Sequence, residues 1–159
     1  HVQGGALVGF SIILRGDKDL IRTLDRLKGS TGSKIVRPAV RAAMSPINKD
    51  AKRLAPVETG LLKKSLGVMM LPSRRTRRKG TIVGTVGPRE GFKQVIDGKP
   101  RNPINYAHLV EFGFWNVRLQ RLIPPKSFLR AAIDKHAAST LSIMKGRIRA
   151  GLERLVRSR

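Results

Sequence analysis

The feature that most constrains the fold is a long run of apolar residues at helical spacing near the end of the chain. Over residues 127–156 these residues recur every three or four positions: Leu129, Ile133, Ala137, Leu141, Met144, Ile148, Leu152 and Leu155. Such a stripe covers one face of an α-helix. We therefore predict a helix over 127–156 whose apolar face packs either against a core or against another helix in a coiled coil.

A second long helix and three strands are also predicted. Residues 34–54 carry apolar residues three and four positions apart, and Pro46 within them predicts a kink or an interruption. Residues 6–15, 61–71 and 81–87 are rich in branched apolar side chains and are interpreted as strands, with a β-hairpin over 61–87. Residues 88–126 have no clear period, which indicates a long loop region containing a short helix near 104–112.

Together these elements predict a single domain of the α+β class over residues 1–159. A small antiparallel sheet packs against a kinked helix and a long C-terminal helix, and a basic β-hairpin protrudes. Hydrophobic residues make up 40% of the chain, which is enough for one core. The apolar stretches are far shorter than the ~20 residues that cross a bilayer. The start also lacks a signal-peptide pattern, so we expect neither a membrane span nor a secretion signal.

The charge balance indicates an anionic partner. The chain has 33 Lys and Arg against 10 Asp and Glu, a net charge of +23. The densest run of cations lies at the predicted hairpin tip, and its members are Arg74, Arg75, Arg77, Arg78 and Lys79. Such a run can bind phosphates or an acidic protein, or it can be a solvated tip without an ordered partner. Because the tip has no aromatic residue, base stacking is disfavoured.

The sequence shows no residue pattern that is typical of a catalytic or metal-binding site. The chain has no cysteine and three dispersed histidines, so no catalytic, metal-binding or cofactor-binding residue is assigned. His108 and Glu111 have helix-face spacing, which is far more typical of an ordinary structural pair than of a catalytic dyad. Phe112, Phe114 and Trp115 form an aromatic cluster that either belongs to the core or anchors a contact between subunits.

Three segments, in order along the chain, resemble the motifs of one family. Residues 51–66 follow AK..AP..TG.L..S, residues 106–113 follow YA..VEFG, and residues 125–132 are similar to P.PFLRPA. The family comprises the neck, head-to-tail connector and minor tail-component proteins of long-tailed phages. It includes the gene-product-ten family of HK-ninety-seven-type phages and the lambda-type minor tail protein Z. The chain departs from the pattern at Phe114, Ser127 and Ala131.

The resemblance implies a non-enzymatic structural protein of a tailed-phage virion, without cofactors. It implies a homo-oligomeric ring, with six-fold symmetry as the first expectation and twelve-fold symmetry as the alternative. The expected position is the neck, the head-to-tail interface or the tail end, where tail completion proteins lie. The expected neighbours are the head-side connector, the tail tube or tail terminator proteins, and the double-stranded DNA in the channel. The expected location is the virion, and the host cytoplasm during assembly. Composition alone leaves a rival hypothesis, a basic module that binds nucleic acid through non-specific phosphate contacts.

The motifs also imply structural roles for individual residues. These are Pro56, Thr59, Gly60, Leu61, Ser65, Tyr106, Glu111, Gly113, Phe128 and Leu129. Pro56 ends a helix, Thr59 and Gly60 turn the chain, and Leu61 begins a strand. Glu111 closes the short helix and is expected to pair with an arginine of the same or a neighbouring subunit.

Overall fold

The computed structural model describes residues 10–11, 30–71, 82–96 and 98–157. Most of the predicted strand 6–15 and all five cations of the predicted tip, residues 74–79, lie outside these residues. Four helices are described: α1 (Ser30–Leu54), α2 (Leu61–Ser65), α3 (Ala107–Phe112) and α4 (Phe128–Arg157). The strands are β1 (Phe10–Ser11), β2 (Leu66–Met70), β3 (Gly84–Pro88), β4 (Gln94–Ile96), β5 (Lys99–Arg101), β6 (Phe114–Asn116) and β7 (Arg121–Ile123).

The strands form one three-stranded sheet and two small hairpins. The sheet has the order β1-β3-β2. Leu71 N–H donates to Val83 O and Arg89 N–H donates to Ser65 O, so the partner residues run in opposite directions and β2 and β3 are antiparallel. Strands β4 and β5 pair antiparallel, as do β6 and β7. The predicted mixture of helices and small antiparallel sheets, with a long C-terminal helix, is therefore confirmed.

The chain divides into two compact units, and each is considered by itself. The first contains Ile47–Gly67 and Val86–Lys135, and the second contains Ser11–Pro46, Val68–Thr85 and His136–Arg159. The prediction of one domain stays a prediction. In the first unit the largest buried apolar side chains are Ile47, Leu61, Leu66, Leu129 and Val86. Their burial removes apolar surface from water, which is the main stabilising contribution to such a unit.

In the second unit, α1 and α4 pack against each other. Ala39 and Ala43 of α1 share a buried cluster with Met144 and Ile148 of α4. Small residues allow a close approach, because a Cβ on Gly151 would lie 2.6 Å from Ile35 Cγ2. The last helix is confirmed, and its stripe is buried at Leu129, Met144 and Ile148 but exposed at Ala137 and Leu141.

Helix α1 differs from the prediction at its prolines. It begins at Ser30, four positions earlier than expected, so Pro38, which would lie in the first turn of a helix starting at residue 34, lies well inside the helix. The helix also continues through Pro46, so an interruption there is wrong. Each proline removes one N–H from the helical ladder. The flanking residues Ala43, Met44 and Ile47 are buried, and this packing outweighs the local loss.

Three other predictions are corrected. Residues 61–65, expected to begin a strand, form α2, because Leu61, Leu62 and Ser65 bury one helical face. Residues 88–103, expected to be a loop, contain the β4–β5 hairpin, whose strands are mostly exposed and so lack an alternating pattern. Residues 114–126, expected to be irregular, contain the β6–β7 hairpin. The expected short helix is present as a 3-10 turn over Pro103–Asn105 followed by α3.

Candidate functional site

The segment that carries the second motif is fixed to the start of the last helix by Glu111. This side chain is only 1% exposed, although it is a carboxylate. Its Oε2 accepts a hydrogen bond from Leu129 N–H and its Oε1 accepts one from Arg130 N–H, each at 2.9 Å. These amides belong to the first turn of α4 and have no partner within the helix. Glu111 therefore acts as the N-terminal cap of a helix that begins 17 residues further along the chain.

Two further hydrogen bonds, also donated from the α4 side to α3, complete this junction. Lys126 N–H donates to Val110 O at 2.8 Å, and Ser127 Oγ donates to Glu111 O at 3.2 Å. The last carbonyls of α3 thus gain partners from the residues that precede α4. We call this set of contacts between the end of α3 and the start of α4 the α3–α4 junction. Within the chain the partners of Glu111 are two backbone amides, and pairing with an arginine of a neighbouring subunit stays a prediction.

Gly113 links α3 to the β6–β7 hairpin in a conformation that favours glycine. Its φ of 74° and ψ of 169° lie in a region essentially restricted to glycine. A Cβ at this position would lie 2.7 Å from Ile123 O and 2.8 Å from Pro125 N. The two ends of the hairpin therefore meet at Gly113, beside the α3–α4 junction.

The β6–β7 hairpin presents one apolar face outward. Phe114 pairs with Ile123, and both are half-buried. Trp115 pairs with Leu122 on the opposite face, and these residues are 60% and 64% exposed. Because side chains alternate across a strand, the two pairs mark an inner and an outer face. Phe112, which ends α3, is also 58% exposed. Of the predicted aromatic cluster, Phe114 thus lies inward, whereas Phe112 and Trp115 lie outward.

The turn of this hairpin is ordered by its own polar groups. Asn116 Oδ1 accepts a hydrogen bond from Leu119 N–H at 3.1 Å. Gln120 follows with a φ of 51°, the only positive value among the described residues other than glycine. Arg118 is exposed at the turn, and Arg121, which pairs with Asn116, is exposed on the face opposite to Trp115 and Leu122. The hairpin is thus a fixed surface of apolar and cationic side chains.

The first motif forms the turn into α2. Thr59 Oγ1 accepts a hydrogen bond from Leu61 N–H at 3.4 Å, and Gly60 has a φ of 70°. Ser65 is buried, and its Oγ donates to Leu62 O at 2.7 Å. The turn chemistry predicted for this motif is therefore present, with a short helix after it. Pro56 follows the end of α1 at Leu54 by two residues.

Ser65 O is also bound by an arginine that sequence reasoning did not single out. Arg89 Nε donates to Ser65 O and Arg89 Nη2 donates to Lys64 O, at 3.3 and 3.1 Å. The guanidinium lies 5.3 Å from the centre of the Phe92 ring. This arginine satisfies carbonyls at the end of α2, as cationic side chains commonly do at helix C-termini.

Tyr106 precedes α3 and is half-buried. Its burial raises the pKa of the phenol above the usual value of 10.0, the nearby Arg101 lowers it, and Glu58 raises it further. Burial dominates, so the neutral phenol is favoured in the folded protein.

The structure brings five of the motif residues, Tyr106, Glu111, Gly113, Phe128 and Leu129, into and around one junction. Phe128 and Leu129, the first two residues of α4, are buried. Sequence reasoning missed Ser127 as a donor to α3 and Leu122 as the partner of Trp115. Ser127 lies in the third motif, next to the predicted start of the last helix, where a serine is typical of a cap of its own helix. The pairing of Leu122 with Trp115 could have been found only by recognising β6 and β7, which have three residues each.

No arrangement for catalysis emerges from the described residues. Within residues 30–71, 82–96 and 98–157, no group of three or more His, Asp and Glu side chains could hold a metal ion. His108 lies half-buried on α3, while both Glu111 oxygens accept backbone hydrogen bonds. No helix in the described part of the chain is long and apolar enough to cross a membrane.

Comparison with known proteins identifies a family. The model of the HK97-gp10-like family, described as a bacteriophage HK97-gp10 tail component, matches residues 18–113, which is more than half of the chain. No curated protein and no solved structure matches the chain.

Proposed function

The chain belongs to the HK97-gp10-like family of bacteriophage tail components, and from this premise we propose that it forms a homo-oligomeric ring at one end of the tail. As a tail component it is a structural protein of the virion that contacts other virion proteins. The finer proposal concerns its position and symmetry. We place the ring at the neck, where head and tail join, or at the tail end, with six copies as the first expectation and twelve as the alternative.

The ring rests on membership of a family of tail components, and the fixed, exposed hairpin is the observation that supports a contact with a neighbouring virion protein. A monomer rarely keeps several large apolar side chains exposed on one rigid element unless they contact a partner. Trp115 and Leu122 are such a pair, and the α3–α4 junction holds the hairpin that carries them. A ring of identical subunits uses one heterologous contact repeated around an axis.

The positive charge fits a ring around DNA. A net charge of +23 on one small chain causes self-repulsion when it is not compensated. Each copy in a ring adds the same charge, so the assembly needs an anionic neighbour. Double-stranded DNA in the channel, the head-side connector, and the tail tube or tail terminator proteins are the proposed neighbours. Release of DNA counterions would favour such contacts at low salt.

Native mass spectrometry of the purified full chain, and imaging of the particle, test the ring. We expect a closed species of six copies, or of twelve, both in solution at high concentration and in the particle. A chain that stays monomeric at every concentration and occurs as a single copy in each particle would refute the proposal.

The charge also supports a second candidate function, a basic module that binds nucleic acid without forming a ring. Filter binding of the full chain to duplex DNA across a salt series separates the two. Nanomolar affinity with a steep salt slope, together with a monomeric mass, would favour the module. Weak binding by single subunits, with a ring in the mass spectrum, would favour the tail component.

The five-cation tip gives a further test of the role of charge. We propose that Arg74, Arg75, Arg77, Arg78 and Lys79 contact DNA or an acidic neighbour. Neutralising all five is expected to reduce the joining of heads to tails while the far-ultraviolet circular dichroism of the isolated chain stays unchanged. A normal yield of infectious particles from this variant would contradict the proposal.

A further inference from the structure

We propose that the outer face of the β6–β7 hairpin binds an acidic surface of a different protein, one that offers apolar side chains within a rim of Asp and Glu. The proposal concerns the partner of this face and does not depend on the ring. It rests on three observations: which side chains are exposed, how the hairpin is held, and which charges the hairpin and the residues after it carry.

The exposed side chains have the composition of a binding surface. Trp115 and Leu122 are cross-strand partners on the outer face, and Val117 and Leu119 are exposed at the turn. Tryptophan in particular contributes a large contact area at the centre of protein interfaces. A surface of this kind is typical of a contact that excludes water from an apolar centre.

The hairpin is held in place before any partner binds. Its ends meet at Gly113, where a Cβ would lie within 3 Å of Ile123 O and Pro125 N. The α3–α4 junction fixes the helices on either side, and Asn116 closes the turn. Binding to such an element costs little additional ordering of the backbone, which favours affinity.

The charges carried by the hairpin and by the residues that follow it in the chain favour an acidic partner. Residues 112–133 contain four cations and no Asp or Glu, and all four cations are exposed: Arg118, Arg121, Lys126 and Arg130. A second copy of this chain brings 33 cations against 10 acids, so its approach to this face would be opposed by like charge. An acidic protein surface is complementary. For this face we therefore favour a contact with another protein over a contact with a second copy, and the predicted subunit contact of the aromatic cluster stays a prediction.

Photochemical cross-linking in the assembled particle tests the proposal directly. The full chain carries a photoreactive benzoylphenylalanine in place of Leu122, and the cross-linked peptides are identified by mass spectrometry. We expect a cross-link to a different protein, at a segment rich in Asp and Glu. A cross-link to another copy of this chain or to DNA, or no cross-link from an incorporated chain, would overturn the proposal.

Charge reversal shows whether the cations take part. Arg118→Glu with Arg121→Glu, in the same photoreactive chain, is expected to lower the cross-link yield about tenfold per incorporated chain. The matched control is Arg147→Glu with Arg149→Glu, which makes the same change in net charge on exposed residues of α4 in the second unit. Circular dichroism of the isolated variants checks folding. Equal yields from the two double variants would refute the role of the hairpin cations.

Trp115 gives an independent readout, because it is the only tryptophan in the chain. Its fluorescence in the purified protein is expected to keep the emission of an exposed indole as the concentration is raised. A blue shift that grows with concentration would show that a second copy covers this face, and it would overturn the proposal. Ring formation without a blue shift would leave the proposal intact, so this outcome is distinguishable from failure of the proposed function.

Discussion

Replacing Glu111 with Gln tests whether the α3–α4 junction stabilises the fold as strongly as its geometry implies. The carboxylate accepts two hydrogen bonds of 2.9 Å in a site that is 1% exposed. Gln has the same shape but only one acceptor oxygen, so one of the two amides of α4 would face an NH2 group. Leu129 N–H is the more buried of the two donors.

The magnitude follows from what is lost. A buried donor without a partner costs ~1–3 kcal/mol, and a hydrogen bond to a charged group contributes ~1.5–3 kcal/mol. The negative charge at the helix N-terminus contributes up to ~2 kcal/mol in a partly buried site. Removing the desolvation penalty of the buried carboxylate offsets part of this loss. We expect Glu111→Gln to lower the free energy of unfolding by about 3 kcal/mol, which corresponds to a Tm lower by ~6–12 °C for a chain of this size.

Urea unfolding of the full chain, followed by circular dichroism, measures this loss. Ser127→Ala is the matched control, because it removes one neutral hydrogen bond from the same junction and should cost only ~1 kcal/mol. A loss below ~0.5 kcal/mol for Glu111→Gln, or a loss no larger than that of Ser127→Ala, would refute the reasoning, since a marginally stable domain shows a 3 kcal/mol change clearly.

Three further predictions concern backbone approach and titration. Gly113→Ala should lower the free energy of unfolding by about 3 kcal/mol or more, because the new Cβ would lie 2.7 Å from Ile123 O. Gly91→Ala is the matched control: its φ is also positive but its Cβ would meet open space, so thermal unfolding should show a loss of only ~1–2 kcal/mol. Gly151→Ala should destabilise the fold by ~1–3 kcal/mol, because its Cβ would clash with Ile35 of α1. Gly146→Ala, whose Cβ would have nothing within 4 Å, should stabilise the fold by ~1 kcal/mol because alanine favours the helix. Equal effects of the two substitutions would contradict the described helix packing. Because the folded-state pKa of Tyr106 is raised, its contribution to stability is fully present below the unfolded pKa near 10 and is lost as pH rises through the folded pKa. Absorbance of the tyrosinate should therefore show a higher midpoint in native than in urea-unfolded protein, and since this is the only tyrosine, a coincident or lower native midpoint would refute the assigned burial.

The long helices were predictable from sequence because their apolar residues repeat over many turns. The spacing from Leu129 to Leu155 places α4 within one residue at either end. For α1 the same helical spacing of apolar residues is present, but its prolines favour a later start and an interruption that the helix does not show. Tertiary packing around Ile47 holds a helix that local propensity disfavours.

The short elements were not predictable in the same way. Strands of three residues, such as β6 and β7, show too few alternations to reveal a period. At α2, a five-residue helix was interpreted as the start of a strand, because adjacent leucines fit either structure. The turn before it was predictable, since Thr59 and Gly60 act through local geometry alone.

The candidate site was partly visible in the motifs. The sequence shows Glu111 and Leu129 as members of two separate motifs, 18 residues apart. Nothing in their spacing indicates that a carboxylate of one segment caps the helix of the other. Such a contact depends on the path of the intervening chain. The exposure of Trp115 likewise depends on which face of the hairpin turns inward.

The meeting of the two hairpin ends at Gly113 has a consequence for how this part of the chain could vary. Because Gly113 and Ile123 O lie together and the flanking helices are fixed to each other, the residues between them enter and leave the unit at nearly one point. The residues between Phe114 and Ile123, whose apolar side chains are exposed, can therefore be replaced as one segment. A graft of another length or another charge would leave the core of the first unit untouched while giving the particle a different partner.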